Sequence, residues 1–140
     1  MAKKDALKLE NQICFPLYVA SKEVIRRYNP LLKELDLTYT QYLVMMVLWE
    51  NESIGAKELG DKLFLDSGTL TPLIKKMEAK GYLEKTQSEN DLRKITLTIT
   101  EKGRLLQEKA LDVPFSVASC IELPQQDAMD LYRILYEMLH

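Results

Sequence analysis

Residues 56–103 constrain the fold of this chain more than any other segment. They begin with a short helical pattern, and a second helical pattern follows between Ser67 and Gly81, where the glycine is suited to end a helix. Two β-type runs, residues 83–86 and 94–99, then flank a polar tip. Two consecutive helices followed by a hairpin predict a winged helix-turn-helix, a fold that reads DNA with its second helix.

The second of these helices is predicted to have one buried and one exposed face. Its apolar residues recur at spacings of three and four between Leu70 and Met77, so they form a stripe that faces inward. Pro72 fits only near the helix start, which favours a start between Ser67 and Thr69. Hydroxyls and lysines on the opposite face, with basic residues at the hairpin tip, suit phosphates, base edges and the narrow minor groove. The alternative is an ordinary solvated polar face. We predict that DNA is bound by Ser67, Thr69, Thr71, Lys75, Lys76, Arg93 and Lys94.

The residues before this segment complete the predicted DNA-reading lobe. Thr38 is a candidate N-cap for a helix that runs through Trp49 and is apolar on nearly all sides, which predicts deep burial. Residues 53–55 are expected to form a short third strand, and residues 56–63 the first helix of the pair. The predicted fold class is therefore mainly α with a small β-hairpin wing.

Both ends of the chain are helical in period and carry apolar faces. In residues 5–35 the pattern is interrupted by Pro16, which either kinks the helix or lies at its start. A long helix is expected from Thr100, and the C-terminal residues beyond it are interrupted by Pro114 and Pro124. One small domain cannot easily bury these faces. Two chains paired across a two-fold axis would bury them against each other, and the pair would carry two DNA-reading lobes. We expect one domain over residues 1–140, with dimerising helices in 1–36 and 104–140 and a DNA-binding lobe in 37–103.

Composition excludes several functional classes. The 140 residues include no run of about 18 uncharged apolar residues, so no membrane partner is expected. The charged N-terminus lacks an apolar signal core, which predicts a cytoplasmic protein. The net charge of −2 still allows local positive patches. Cys14, Cys120 and His140 are too few and too scattered for a metal cluster, so neither a metal nor a cofactor is expected.

Four stretches of this sequence resemble the MarR family of winged-helix regulators. The Asp-x-Arg of the predicted wing is shared by the whole family, whereas residues 11–15, around Cys14, and residues 66–73 resemble its organic-hydroperoxide-sensing branch. The resemblance implies a homodimer that binds a pseudo-palindromic operator and represses transcription, without enzymatic activity. The four stretches are Tyr39-Thr40-Gln41-Tyr42, Leu65-Asp66-Ser67-Gly68-Thr69-Leu70-Thr71-Pro72-Leu73, Asp91-Leu92-Arg93 and Leu97-Thr98-Ile99-Thr100-Glu101-Lys102-Gly103.

Cys14 is the candidate sensor of an organic hydroperoxide. A cysteine reacts as its thiolate, which a helix N-terminus favours, and Cys14 lies near such a terminus under either reading of Pro16. The resemblance implies that Tyr28 and Tyr39 of the partner subunit hydrogen-bond the sulfur, with Tyr18 as a third tyrosine near the site. The alternatives are an inert thiol and tyrosines that only pack. An apolar wall for the organic tail is expected from Phe15, Leu17, Tyr42, Met45 and Met46.

Cys120 resembles the second thiol of a two-cysteine subclass, in which a sulfenic acid on the first thiol becomes an intersubunit disulfide. In the alternative, an external thiol completes the reaction and Cys120 only packs. Two further hypotheses concern the whole protein. The same repressor would be released by a small phenolic or anionic ligand between the end helices, or the chain would be a thiol peroxidase that uses Cys14. No arginine-supported peroxide motif favours the peroxidase.

Overall fold

The chain folds into helices around one small sheet, in a computed structural model that describes residues 2–139. Two short 3-10 turns, Asp5–Leu7 and Leu9–Asn11, precede the first helix. The α-helices of the described residues are α1 (Cys14–Lys33), α2 (Tyr39–Asn51), α3 (Ala56–Leu63), α4 (Ser67–Lys80), α5 (Glu101–Ala110), α6 (Val113–Ala118) and α7 (Gln125–Met138). The strands are β1 (Ser53–Gly55), β2 (Leu83–Gln87) and β3 (Ile95–Ile99).

Helix α1 begins at Cys14, so Pro16 lies in its first turn. A proline in the first turn of a helix is tolerated because its missing N–H has no helical partner there. Of the two interpretations of Pro16, the one that puts it at the helix start is therefore confirmed. Helix α1 then continues to Lys33 and includes Pro30 near its far end.

Helix α2 begins with a reciprocal capping box. Thr38 Oγ1 accepts a hydrogen bond from the Gln41 N–H at 3.3 Å, and Gln41 Oε1 accepts one from the Thr38 N–H at 3.1 Å. The predicted Thr38 cap is confirmed. Met45 lies fully inside the core, but Met46 is exposed, so burial of α2 on all sides is wrong at that position.

The predicted pair of reader helices and the third strand are confirmed. Helix α4 starts at Ser67 and is closed by Gly81, whose φ of 82° is the left-handed conformation that glycine adopts easily. The sheet is antiparallel with the order β1-β3-β2, and Leu83 pairs with Ile99 in the hairpin. The inward-facing stripe of α4 is buried as expected, at Leu70, Leu73, Ile74 and Met77.

The C-terminal region is more broken than the sequence pattern predicts. Helix α5 ends at Ala110 and is ten residues long, because a turn separates it from α6. Pro114 lies in the first turn of α6, and Pro124 is the N-cap of α7. Helix α7 buries none of its residues against its own chain. Within residues 2–139, no helix is both long enough and apolar enough to cross a membrane.

Candidate nucleic-acid interface and redox site

The exposed face of α4 carries the hydroxyls and lysines that the sequence predicts there. These side chains lie opposite the buried stripe, so the predicted orientation of the helix is confirmed, while their contact with DNA stays a prediction. Side chains of this kind can donate to phosphate oxygens and to base edges in a major groove. The exposed residues are Ser67, Thr69, Thr71, Lys75 and Lys76.

The N-terminus of α4 is capped by Asp66. Its Oδ1 accepts a hydrogen bond from the Thr69 N–H at 2.8 Å. A carboxylate of the chain itself therefore occupies part of the position at which the helix dipole favours an anion. The cap uses only the Thr69 backbone N–H, so the hydroxyls of Ser67, Thr69 and Thr71 all stay exposed and suit contact with DNA. An aspartate directly before a helical pattern was the signal for this cap.

The tip of the wing is organised by Asp91. Its Oδ1 accepts hydrogen bonds from the Arg93 N–H at 3.0 Å and from Arg93 Nε at 3.2 Å. The backbone closes around it, since Lys94 N–H donates to the Asp91 carbonyl and Ser88 N–H to the Lys94 carbonyl, both at 3.0 Å. The Arg93 side chain remains 92% exposed. The wing therefore presents a cation on a preorganised turn.

A groove joins the exposed face of α4 to the wing. Its volume is about 330 Å³, and apolar side chains line its base. Lys75 of α4 and Lys85 of β2 also line the groove, together with Thr71, which carries a hydroxyl. Two lysines against the single carboxylate of Glu78 leave the groove with an excess of positive charge, which suits a polyanionic backbone. The other lining residues are Ala56, Leu70, Ile74, Glu78, Ile95 and Leu97.

Cys14 is exposed and is the first residue of α1. Ile13, the N-cap residue, supplies no side-chain hydrogen bond to the first turn, and helix N-termini favour negative charge. Tyr18 lies one turn further along, on the same side of the helix, and is also exposed. These two residues are accessible from outside the chain.

Tyr28 and Tyr39 form an aromatic cluster with Tyr42. The ring centroids of Tyr28 and Tyr39 lie 4.9 Å apart, and Tyr42 lies 5.7 Å from Tyr28. Burial raises the pKa of all three phenols above the ordinary value, and for Tyr39 and Tyr42 the neighbouring tyrosines raise the pKa further. The phenols therefore keep their protons at neutral pH and can act as hydrogen-bond donors.

One chain does not bring the predicted redox residues together. Cys14 and Tyr28 are fourteen residues apart on the continuous helix α1, about 21 Å along its axis at 1.5 Å per residue. Cys120 lies beside residues 20–27 of α1, which are about 9–20 Å along the axis from Cys14. A disulfide needs Cα atoms within about 7 Å. Within this conformation of a single chain, the Cys14 sulfur can neither accept a hydrogen bond from Tyr28 nor form a disulfide with Cys120.

The predicted apolar wall divides between two regions. Met45 is fully buried in the core and Tyr42 is nearly so, which makes Met45 wrong as a wall for a peroxide tail. Phe15 and Leu17 are exposed beside Cys14 and remain candidates. Among residues 2–139 no group of side chains could hold a metal ion, and His140 lies outside the described residues.

Comparison with known proteins agrees with this architecture. Residues 26–110 match the family described as transcriptional regulator SarA/Rot. Over 137 residues the chain is 44% identical to the organic hydroperoxide resistance transcriptional regulator of Bacillus subtilis (strain 168), in a match that covers 98% of this chain and 93% of that protein. This chain belongs to the MarR/SarA family of winged-helix transcriptional regulators. Like its relatives it is a regulator and not an enzyme, which confirms the prediction from sequence.

Two solved structures of AbfR from Staphylococcus epidermidis resemble this regulator over nearly its whole length. Reduced AbfR bound to DNA is 33% identical, with a TM-score of 0.79 over 99% of this chain and 96% of that one. AbfR with a disulfide formed is 32% identical, with a TM-score of 0.67 over 99% of this chain and 97% of that one. The conformation of this regulator is therefore more similar to the reduced, DNA-bound AbfR than to the AbfR with a disulfide formed.

Proposed function

We propose that this regulator is a dimeric repressor that dissociates from operator DNA when an organic hydroperoxide oxidises Cys14. The observation that carries the proposal is the exposed Cys14 at the start of α1, with the proton-bearing Tyr28 and Tyr39 near the opposite end of the same helix. A second chain, packed antiparallel along α1, would bring its tyrosines to this sulfur. The dimer thus builds the sensor that one chain lacks.

DNA binding is supported by the exposed face of α4, the groove beside it and Arg93 of the wing. In the dimer, two α4 helices would enter successive major grooves about 34 Å apart, and the wings would reach the flanking minor grooves. A similar protein, reduced AbfR, has been solved bound to DNA. The partner is therefore a double-stranded, pseudo-palindromic operator.

Dimerisation is supported by the distribution of exposed apolar side chains. Among the described residues, every exposed large hydrophobic side chain except Met46, Phe64 and Leu92 lies in residues 2–36 or 104–139. Helix α7 is apolar along much of its surface, and none of its residues is fully buried in its own chain. Exposed apolar surface of this extent is typical of an interface between subunits. In our proposal the apolar faces of the helices in residues 1–36 and 104–140 form that interface, and residues 37–103 form the DNA-binding lobe.

The redox step follows from thiol chemistry. The Cys14 thiolate attacks the outer oxygen of the hydroperoxide, the O–O bond breaks, and the products are a sulfenic acid on Cys14 and an alcohol. The Cys120 thiolate of the other subunit then attacks the sulfenic sulfur, which forms an intersubunit disulfide and releases water. Formation of this bond requires the end helices to move, because disulfide geometry is narrow. Movement of those helices changes the spacing of the two readers.

The decisive experiment compares the wild type with Cys14→Ser and Cys120→Ser. Each is measured on a labelled duplex selected by the reduced wild-type protein from random sequence, before and after cumene hydroperoxide, with non-reducing gels alongside. We expect peroxide to release the wild type but not Cys14→Ser, and the crosslinked dimer to need both cysteines. Equal release of wild type and Cys14→Ser would refute the sensor role. No response of the wild type would favour release by a small phenolic or anionic ligand.

A further inference from the structure

The C-terminal end of the reader helix α4 is tied to the junction between α1 and α2. Lys80 Nζ donates a hydrogen bond to the Asp36 carbonyl oxygen at 2.8 Å and to Gln41 Oε1 at 3.0 Å. It also lies 3.4 Å from the Asp36 carboxylate. One ammonium group therefore joins the last residue of α4 to both ends of the segment that leads into α2.

Tyr82 reinforces this junction from the residue after the cap. Its ring is buried, and its hydroxyl lies 3.2 Å from the Leu35 carbonyl oxygen and 3.4 Å from that of Asp36. Asp36 has a φ of 54°, a left-handed conformation that aspartate tolerates better than most residues. This turn directs the Asp36 carbonyl toward both Lys80 and Tyr82.

Gln41 connects the junction to the start of α2. The same Oε1 that accepts from Lys80 also accepts from the Thr38 N–H, which completes the capping box of α2. Gln41 is only 3% exposed, and within residues 2–139 no other non-aromatic polar side chain is buried. The first residue of α2 is Tyr39, one of the tyrosines of the proposed sensor. Lys80 is thus two hydrogen bonds away from the helix start that carries Tyr39.

Lys102 holds the same end of α4 from a second side. Its Nζ donates to the Lys80 carbonyl oxygen at 2.7 Å and lies 5.2 Å from the centre of the Tyr82 ring. Cations at a helix C-terminus interact favourably with its exposed carbonyls. The end of α4 is therefore fixed both to the α1–α2 junction and to α5.

We infer that Lys80 is a positioning residue for DNA reading, which orients α4 against the α1–α2 junction and passes motion of that junction to the reader. Lys80 lies thirteen residues from Ser67, about 20 Å along the helix, so it acts at the end of α4 away from the capped N-terminus. When the sensor tyrosines shift, the capping box shifts with Tyr39, and the Lys80 contacts pull α4 out of its reading orientation. The redox part rests on the proposed function, whereas the orientation of α4 concerns the reduced protein alone.

The test compares Lys80→Met with the conservative Lys80→Arg and with Lys109→Met, an exposed lysine of α5. The reduced proteins are titrated with the labelled duplex at several salt concentrations, and hydrogen–deuterium exchange is followed without DNA. We expect Lys80→Met to bind roughly 3- to 30-fold more weakly, with faster exchange in residues 36–41 and 77–82 together. Lys80→Arg should recover most of the affinity, and Lys109→Met should behave as the wild type.

The salt dependence separates positioning from direct phosphate contact. Removal of a phosphate contact lowers the slope of log Kd against log salt by about one unit, whereas a positioning residue leaves the slope unchanged. A lower slope for Lys80→Met, or wild-type affinity, or unchanged exchange in the two segments, would each overturn the inference.

After peroxide, the ratio of oxidised to reduced Kd should fall in Lys80→Met. If peroxide leaves the wild type bound, the proposed sensor fails, and the reduced titration and exchange still judge Lys80. If the wild type selects no duplex, DNA binding fails, and exchange alone decides whether Lys80 ties α4 to the junction.

Discussion

Trp49 donates its indole N–H to the backbone carbonyl oxygen of Gly103 at 2.9 Å. The bond joins α2, at the centre of the core, to the first turn of α5. Gly103 lies there without room for a side chain, since an added Cβ would fall 2.8 Å from Ile99 Cγ1 and closer still to the Tyr82 carbonyl oxygen. The DNA-binding lobe and the helices that follow it are therefore connected through a close-packed contact.

Gly103→Ala should destabilise the protein strongly. Its methyl group meets backbone at a distance that no rotamer change relieves, so we expect a loss of about 1–3 kcal/mol in the free energy of unfolding. Gly68→Ala is the matched control, because a Cβ there meets only the Asp66 carboxylate at 3.4 Å. Inside a helix this change should add stability, by roughly 0.5–1 kcal/mol. Urea denaturation measures both, and equal effects would contradict the packing argument.

Asp66→Ala should weaken the reader helix at its start. Loss of the carboxylate leaves the Thr69 N–H with only its longer bond to the Asp66 carbonyl oxygen at 3.2 Å, which should cost about 0.5–2 kcal/mol in the free energy of unfolding. Asp66→Asn keeps a side-chain acceptor and should retain most of the stability. Thermal unfolding of the three proteins checks this, and a midpoint for Asp66→Ala equal to the wild type would exclude the cap.

Most helix and strand bounds of the lobe were predictable because their signals are local. The stripe from Leu70 to Met77, the glycine at 81 and the threonine at 38 each act within a few residues. The contacts of Lys80 were not predictable, because its partners Asp36 and Gln41 lie 44 and 39 residues away in the sequence. Periodicity carries no information about such pairs.

The candidate redox site was predictable only in part. Its residues followed from resemblance, but their separation followed from the length of α1, which the sequence left open at Pro16. The misassigned Met45 has a similar cause, since an apolar helix shows no preferred face when nearly every position is hydrophobic. In both cases tertiary packing decided what local pattern could not.

Leu131→Glu in α7 should shift the protein toward monomers. Leu131 is exposed in the single chain, and α7 has no fully buried residue there, so a charge at this position would become buried at the proposed interface. Leu92→Glu, at an exposed leucine of the wing, is the control and should leave the dimer intact. Light scattering after gel filtration gives the masses, and an unchanged mass for Leu131→Glu would place the interface elsewhere.

Arg93→Ala should weaken operator binding by about 1–3 kcal/mol, because the wing would lose the cation that reaches the minor groove. Asp91→Ala keeps the arginine but removes the carboxylate that orients it, so a smaller loss is expected. Arg26→Ala, at an exposed and ion-paired arginine of α1, serves as the control. Affinity for the selected duplex is the measurement, and a wild-type value for Arg93→Ala would remove the wing from the interface.

Tyr28→Phe should change the alkaline titration of the protein. Burial raises the pKa of Tyr28, Tyr39 and Tyr42, so these phenols stay protonated in the folded chain when unfolded phenols, with a pKa near 10, already ionise. Below pH 10 they leave the free energy of unfolding unchanged, and as pH rises from 10 toward the folded pKa the unfolded chain loses protons first and stability falls. Tyr28→Phe removes one such group, so its stability should fall less steeply in that window. Absorbance at 295 nm should also lose a late-titrating phenol. Loss of a phenol that titrates near pH 10 would instead show that Tyr28 is solvated, and would weaken its role as a proton donor to the Cys14 sulfur.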